Sequence, residues 1–166
     1  GRGNDFILID DQSKTFSYSQ QNIQRLCHRR LGIGADGVIL LQKSEKADLR
    51  MRIFNCDGNE AGSCGNGLLC LLTFAKDQKI LDKEKVSIET MDRIGYYQKK
   101  KDLYSIDMGR PLRLKLNHNI ALSDREVVCH LVDTGVYHAV VFVDDLKNTL
   151  VEKIGREIRQ HKDFVP

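Results

Sequence analysis

The segment 55–70, NCDGNEAGSCGNGLLC, constrains the fold more than any other part of the sequence. The apolar run 51–54 precedes it and predicts a strand, whereas the pattern over residues 65–79 predicts a helix. Between the two, glycine, asparagine and aspartate predict a long turn. The chain therefore passes from a strand through a polar turn into a helix, and Cys64 lies where that helix should begin.

Cys64 has a chemically distinctive position in this turn. The start of a helix presents unpaired backbone N–H groups and a positive dipole end, which stabilise a thiolate and bind carboxylates. Gly65, Asn66 and Gly67 follow directly, and glycine lets a backbone approach a ligand closely. The polar side chains of residues 55–59 can converge on the same ligand. We predict that Cys64 is a catalytic acid or base; the alternative is an inert buried cysteine.

The remaining pattern predicts the α+β class, because strands outnumber helices and occur in consecutive runs rather than in strict βαβ alternation. Two helices are expected besides the one after Cys64, from Ser19 to about Arg30 and over residues 147–160. The expected strands cover residues 6–9, 38–41, 49–54, 86–90, 95–98, 104–108, 127–132 and 138–143.

A polar stretch over residues 116–119 predicts a domain boundary. It divides the chain into a first domain, residues 1–116, which carries Cys64, and a second, incomplete domain, residues 117–166. Since the first strand begins abruptly and the last helix has no capping element after it, we expect a chain that is truncated at both ends.

Composition argues against several classes of protein. The 166 residues include 26 Lys and Arg against 23 Asp and Glu, a net charge of +3, which is too mild to indicate nucleic-acid binding. No apolar run approaches the roughly 20 residues of a membrane span. The five cysteines form no Cys-x-x-Cys pair, so neither a disulfide scaffold nor a structural zinc site is expected. Reduced thiols without a signal peptide favour the cytoplasm.

Residues 32–37, GIGADG, match the dinucleotide-binding pattern G-x-G-x-x-G. That pattern should follow a strand and open a helix, whereas here a predicted helix precedes it and a predicted strand follows it. We interpret the segment as the exit of a helix, with Gly32 in the left-handed position after the last turn.

Hydrolysis by a nucleophilic cysteine is the competing chemistry. It requires a histidine that takes the thiol proton and a third group that orients this histidine. Sequence spacing alone does not say which histidine lies near Cys64. The candidates are His28, His118, His130, His138 and His161.

Several segments, in order along the chain, resemble the motifs of the diaminopimelate epimerase family. Residues 55–70 resemble its first catalytic motif, and residues 3–6, GNDF, resemble the motif of its first strand. Residues 32–37 resemble its second loop. Residues 107–109, DMG, and 135–143, GVYHAVVFV, resemble later signatures. Together these matches span almost the whole chain.

The resemblance implies two similar α+β lobes, each a mixed or antiparallel sheet wrapped around a central helix. It implies a cofactor-independent isomerase that interconverts LL- and meso-diaminopimelate for the synthesis of lysine and peptidoglycan. One thiolate removes the α-proton, and a thiol from the other lobe protonates the opposite face. By resemblance, Cys64 is the catalytic cysteine of the first lobe. Asn4 and Asn55 would contact the substrate. Gly65 and Asn66 would bind its α-carboxylate through their backbone N–H groups.

The chain departs from the family pattern at positions that concern specificity. Leu69 stands where the family usually has arginine, and Gly37 stands where some members have a substrate-contacting glutamine. Val136 and Tyr137 replace an Asn-Pro pair that many members have. A racemase of another amino acid, such as a proline-racemase-like enzyme, is therefore an alternative.

The second cysteine and a substrate-binding Glu-Arg pair have no match in this chain. We therefore expect these 166 residues to be inactive alone, and an inactive binding fragment is a further alternative. We expect a small amino acid as the substrate, and no metal, cofactor, nucleic acid or membrane partner. Assembly as a homodimer is left open.

Overall fold

The structure, a computed structural model, describes residues 3–62, 64–100, 103–107, 109–134 and 136–164. The chain forms two compact units, Gly1–Asp107 and Met108–Pro166. The division thus falls before the polar stretch at which we placed a boundary, and the assignment of residues 1–116 and 117–166 to two lobes stays a prediction. Residue 108, the end of a predicted strand, and residue 135 lie outside the described residues.

The first unit is a sheet with a helix on each face. Its elements are β1 (Phe6–Asp10), α1 (Gln20–Cys27), β2 (Gly37–Gln42), β3 (Leu49–Asn55), β4 (Glu60–Ala61), α2 (Gly65–Asp77), β5 (Lys85–Glu89), β6 (Ile94–Lys100) and β7 (Leu103–Ile106). The strands pair in the order β1-β2-β3-β5-β6-β7, and β4 pairs with β3. β1 and β2 are parallel, as are β3 and β5, whereas the other pairs are antiparallel. The predicted α+β class with a mixed sheet is confirmed.

β2 is buried along its whole length, as is typical of a strand that has a helix on both faces. Because side chains alternate along a strand, Ile39 and Leu41 face α2, whereas Val38 and Leu40 face α1. On α2, Leu71 is completely buried in the core against the sheet. This packing holds the first turn of α2 over the middle of β2 and β3.

The second unit is a smaller antiparallel sheet with one helix. Its elements are β8 (Arg113–Ala121), β9 (Glu126–Asp133), β10 (Tyr137–Val140) and α3 (Val151–Arg159). The strands pair in the order β10-β9-β8. Ile120, Cys129 and Ile158 form its core. In the described part of the chain, no helix combines the length and the apolar character needed to cross a membrane.

β8 was not predicted, because its polar residues were interpreted as a boundary. The pairing of β8 with β9 is irregular between Lys115 and His118. Asn117, which lies between them, has a φ of 54°. An irregularity of this kind interrupts the alternation of apolar and polar residues by which a strand is recognised. Residues 116–119 therefore belong to β8.

Candidate active site

Cys64 is the N-cap residue of α2, as the sequence predicted. Its φ of −149° and ψ of 116° are the extended values typical of that position. Its carbonyl oxygen accepts the first helical hydrogen bond, from the Leu68 N–H, at 2.9 Å. Its side chain makes no hydrogen bond that caps the helix, is half-buried, and packs at the edge of the core beneath α2. The thiol is therefore neither sealed in the interior nor used by the helix.

The first three backbone N–H groups of α2 are those of Gly65, Asn66 and Gly67. Within the described residues, no acceptor pairs with the amides of Gly65, Asn66 and Gly67. An α-helix cannot satisfy these first amides itself, and together with the helix dipole they bind anions. The thiol of Cys64 and an anion-binding group of amides therefore belong to the same turn.

Gly67 has a packing role that the sequence did not reveal. A Cβ atom at this position would lie 2.9 Å from Cδ1 of Ile39 and 3.2 Å from Cδ1 of Ile53. A side chain here would therefore require the buried Ile39 and Ile53 methyl groups, or the first turn of α2, to shift. The absence of a side chain brings Cys64 and its neighbouring amides close to β2 and β3.

Asn4 and Asn66, both predicted to contact the substrate, are hydrogen-bonded to each other. The Asn66 Nδ2 donates a hydrogen bond to the Asn4 Oδ1 at 2.8 Å. The Asn4 Nδ2 donates in turn to Asp36 Oδ2 at 2.9 Å. The strand register explains this proximity, because Phe6 of β1 pairs with Gly37 of β2 and thereby brings the residues before both strands to one edge.

Asn55 lies at the same end of the sheet. It is the last residue of β3 and pairs with Gly37. Since Ile53 packs beneath α2 and side chains alternate, Asn55 lies on the α2 side of the sheet. Its backbone N–H donates to the carbonyl of Asn59 at 2.9 Å. No hydrogen bond joins Asn55 to Cys64 in the described part of the chain.

Two other polar residues of the turn have structural roles. Asp57 Oδ1 accepts a hydrogen bond from the Asn59 N–H at 2.8 Å, which lowers the pKa of the Asp57 carboxyl. The carbonyl of Asp57 accepts from the side-chain amides of Gln20 and Gln24 at 3.2 and 2.8 Å. These contacts attach the turn to α1.

Arg29 joins the loops around this site, and sequence reasoning missed it. Its guanidinium donates to both Asp5 oxygens at 2.9 and 2.8 Å and to Asp36 Oδ1 at 2.8 Å. The hydrogen bond from Arg29 is the main reason that the pKa of Asp5 falls to about 2, and the pKa of Arg29 rises correspondingly. Arg29 and Asp5 lie 24 positions apart, so no local sequence pattern indicates their pairing.

The Asp5 carboxyl provides a prediction on pH dependence. Its folded pKa of about 2 lies below the ordinary value of 3.8, so its stabilising effect is complete above pH 3.8 and is lost as the pH falls towards 2. We expect a carbon NMR titration of the Asp5 carboxyl to give a midpoint near 2, and the Arg29→Gln variant to give a higher midpoint, between 2 and 3.8, because the Asp36 N–H still donates to Asp5. An unaltered chain with a midpoint near 3.8 would show that this ion pair is absent in solution.

The glycine-rich segment 32–37 folds over the C-terminal end of α1. The N–H groups of Gly32, Gly34 and Ala35 donate to carbonyls of His28, Leu26 and Cys27 at 2.8, 3.0 and 3.2 Å. These amides are therefore used within the protein and do not form a phosphate-binding loop. One detail of the prediction was wrong. The left-handed residue is Gly34, with a φ of 83°, and not Gly32, because the chain makes a further turn before it reverses.

The first unit offers little support for a cysteine hydrolase. His28 is its one histidine. The His28 Nδ1 accepts hydrogen bonds from the backbone N–H groups of Arg30 and Leu31 at 3.2 and 3.0 Å. It lies just after α1, on the face of the sheet opposite α2. The described residues of this unit thus place no histidine base beside Cys64.

Gly37 explains one of the departures from the family pattern. A Cβ atom here would lie 2.5 Å from the carbonyl oxygen of Phe54 and 3.5 Å from the Phe6 ring. A glutamine side chain does not fit on this backbone unless β2 and β3 separate. The backbone at this position therefore accommodates glycine and no larger residue.

The sequence profile of the family described as "Diaminopimelate epimerase" matches residues 1–113. The diaminopimelate epimerase of Nitrosospira multiformis is 36% identical to this chain over 177 residues, which cover 99% of the chain and 64% of the relative. That of Methanocella arvoryzae is 40% identical over 174 residues, which cover 96% of the chain and 61% of the relative. The chain therefore spans less than two thirds of the length of these relatives.

Solved structures show likeness in fold at low sequence identity. A Bacillus anthracis phenazine biosynthesis protein of the PhzF family has a TM-score of 0.66 at 20% identity, covering 87% of this chain and 52% of that one. A hydroxyproline epimerase from Agrobacterium vitis, with bound trans-4-hydroxy-L-proline, has a TM-score of 0.56 at 22% identity, covering 76% and 40%. These likenesses concern the fold alone.

Proposed function

This chain belongs to the diaminopimelate epimerase family, and on that premise we propose that it acts in a cofactor-independent isomerisation of LL- and meso-diaminopimelate in the cytoplasm. The reaction serves lysine and peptidoglycan synthesis. Cys64 is one of two acid/base groups in this proposal, and the second is not assigned to any residue of the chain. That no metal, nucleic acid or membrane takes part, and that a homodimer is an option, stay predictions.

The observation that carries the proposal is the shared turn of Cys64 and three available amides. The amides of Gly65 and Asn66 hold the α-carboxylate, as they would any anion at a helix start. A carboxylate held there brings the α-carbon close to a thiol that starts the same helix. Asn4, which is hydrogen-bonded to Asn66, and Asn55, at the end of β3, add polar groups for the substrate.

The proposed reaction removes one proton, returns one proton to the opposite face and needs no cofactor. The thiolate of Cys64 takes the α-hydrogen as a proton, so the α C–H bond breaks and an S–H bond forms. The electron pair remains on the α-carbon and spreads into the carboxylate. The amides and the positive end of α2 stabilise this charge. The second group then delivers a proton to the opposite face and inverts the centre.

The identity of the substrate's side chain is the part of the proposal for which we keep a second candidate. Leu69 and Gly37 remove an arginine and a glutamine that relatives can use, and position 37 has no room for a longer side chain. An amino acid with a simpler side chain, such as proline or glutamate, is the second candidate substrate. This alternative keeps the same thiol chemistry.

The product of the complete gene tests the proposal. We expect it to interconvert LL- and meso-diaminopimelate, followed by chiral chromatography, with no loss of rate after dialysis against EDTA. Proline and glutamate are assayed in parallel. Turnover of one of these instead of diaminopimelate would favour the alternative substrate. If no amino acid is isomerised, the proposal fails and a binding protein is the better description.

A further inference from the structure

A series of hydrogen bonds joins Asn66, in the first turn of α2, through Asn4 to Asp36, the residue before β2. The Asp36 carboxylate is an acceptor, so the Asn4 amide presents its nitrogen to it, at 2.9 Å. The oxygen of that amide consequently faces Asn66, whose Nδ2 donates to it at 2.8 Å. Among the described residues, one Asn4 N–H and the Asn66 Oδ1 have no partner in these hydrogen bonds. Asp36 thus determines which polar atoms the two asparagines present.

Arg29 holds the Asp36 carboxylate, at which this series of hydrogen bonds ends. Its Nη2 lies 2.8 Å from Oδ1 of Asp36 and 2.8 Å from Oδ1 of Asp5. The two carboxylates therefore share one nitrogen, and without a cation between them they would repel each other. With Oδ1 of Asp36 held by Arg29, its Oδ2 is directed to Asn4.

We propose that Arg29 is a positioning residue that acts through Asp36 to fix the orientation of the Asn4 and Asn66 side chains beside Cys64. It touches neither Asn66 nor the thiol, since Asp36 and Asn4 lie between them. The consequence for substrate binding rests on the proposed function, whereas the ordering of the two amides does not. Arg29 is not among the residues that the sequence predicted for this site.

The test compares Arg29→Gln, Arg29→Lys and the unaltered 166-residue chain by NMR. The readout is the solvent exchange rate of the side-chain NH₂ groups of Asn4 and Asn66. We expect Arg29→Gln to raise both rates by up to about tenfold, which corresponds to about 1.4 kcal/mol and lies within the range for one hydrogen bond. Arg29→Lys should give intermediate exchange rates. The lysine ammonium keeps the positive charge, but it lacks the planar fork that contacts two carboxylates at once.

Arg52→Gln is the matched control. Arg52 makes an equally close two-point ion pair with Glu60, at 2.7 and 2.6 Å, and stacks over Tyr18. Loss of this ion pair should lower the free energy of unfolding without changing the exchange rates of the Asn4 and Asn66 NH₂ groups. Unchanged exchange in Arg29→Gln, or an equal rise in Arg52→Gln, would overturn the proposal.

A kinetic readout separates this inference from the proposed function. In the complete gene product, Arg29→Gln should raise KM for the preferred amino acid, whereas Arg52→Gln should leave KM unchanged. A rise in KM of the same size in both variants would show that Arg29 has only a structural role. If the complete gene product has no isomerase activity, the proposed function fails, and the exchange rates still decide whether Arg29 orders the two amides.

Discussion

Cys64→Ala is expected to slow isomerisation of the preferred amino acid by about 10²–10⁴-fold, the usual effect of losing a positioned acid or base. Both directions should slow, because each needs a proton removed on one face and delivered on the other. KM should change little, because the amides of Gly65 and Asn66 remain at the start of α2. Initial rates in both directions, measured by chiral chromatography on the complete gene product, check this expectation.

The same helix provides the control. Cys70 is also a half-buried free cysteine of α2, but it lies in the second turn and not at the helix start. Cys70→Ala should therefore keep a rate within a few-fold of the unaltered protein. If Cys70→Ala is inactive and Cys64→Ala is active, the wrong thiol has been assigned. If both variants are fully active, neither thiol is the base.

Leu71→Ala is expected to lower the free energy of unfolding of the first unit by about 2–5 kcal/mol, the range for a buried leucine cut back to alanine. Leu71 has an exposed fraction of 0% and lies in the core between α2 and the sheet. Its truncation leaves a cavity under the helix that carries Cys64. Urea denaturation of the 166-residue chain, followed by circular dichroism, measures the loss.

Leu31→Ala is the control for Leu71→Ala. Leu31 is the same residue type, but it is 80% exposed in the loop after α1. Its truncation should change the free energy of unfolding by no more than about 0.5 kcal/mol. Equal urea midpoints for the two variants would contradict the packing of α2 against the sheet.

The elements that the sequence predicted best are those whose burial determines their composition. The apolar run 38–41 predicted a strand, and β2 covers Gly37–Gln42, because a helix packs on each of its faces. The helix expected over residues 65–79 covers Gly65–Asp77. β4 was missed because two residues, Glu60–Ala61, form no recognisable period. β8 was missed because its exposed polar residues resemble a linker.

In the candidate site, too, features set by local sequence could be predicted, whereas contacts between distant residues could not. The place of Cys64 at a helix start could be predicted, because a strand, a glycine-rich turn and a helix pattern follow one another locally. The role of Arg29 could not be predicted, because its partner Asp5 lies 24 positions away, just before β1, and only the folded sheet brings the two together. The packing role of Gly67 could not be predicted either, since it depends on Ile39 and Ile53 of two other strands.

Exchange of the substrate α-hydrogen in D₂O is the most direct test of the claim that Cys64 removes that proton. The complete gene product and its Cys64→Ala variant are each incubated with each stereoisomer separately, and deuterium at the α-carbon is measured by mass spectrometry. We predict that the unaltered protein labels both stereoisomers and that Cys64→Ala loses labelling of at least one of them. Labelling of both stereoisomers by Cys64→Ala at the unaltered rates would contradict the account.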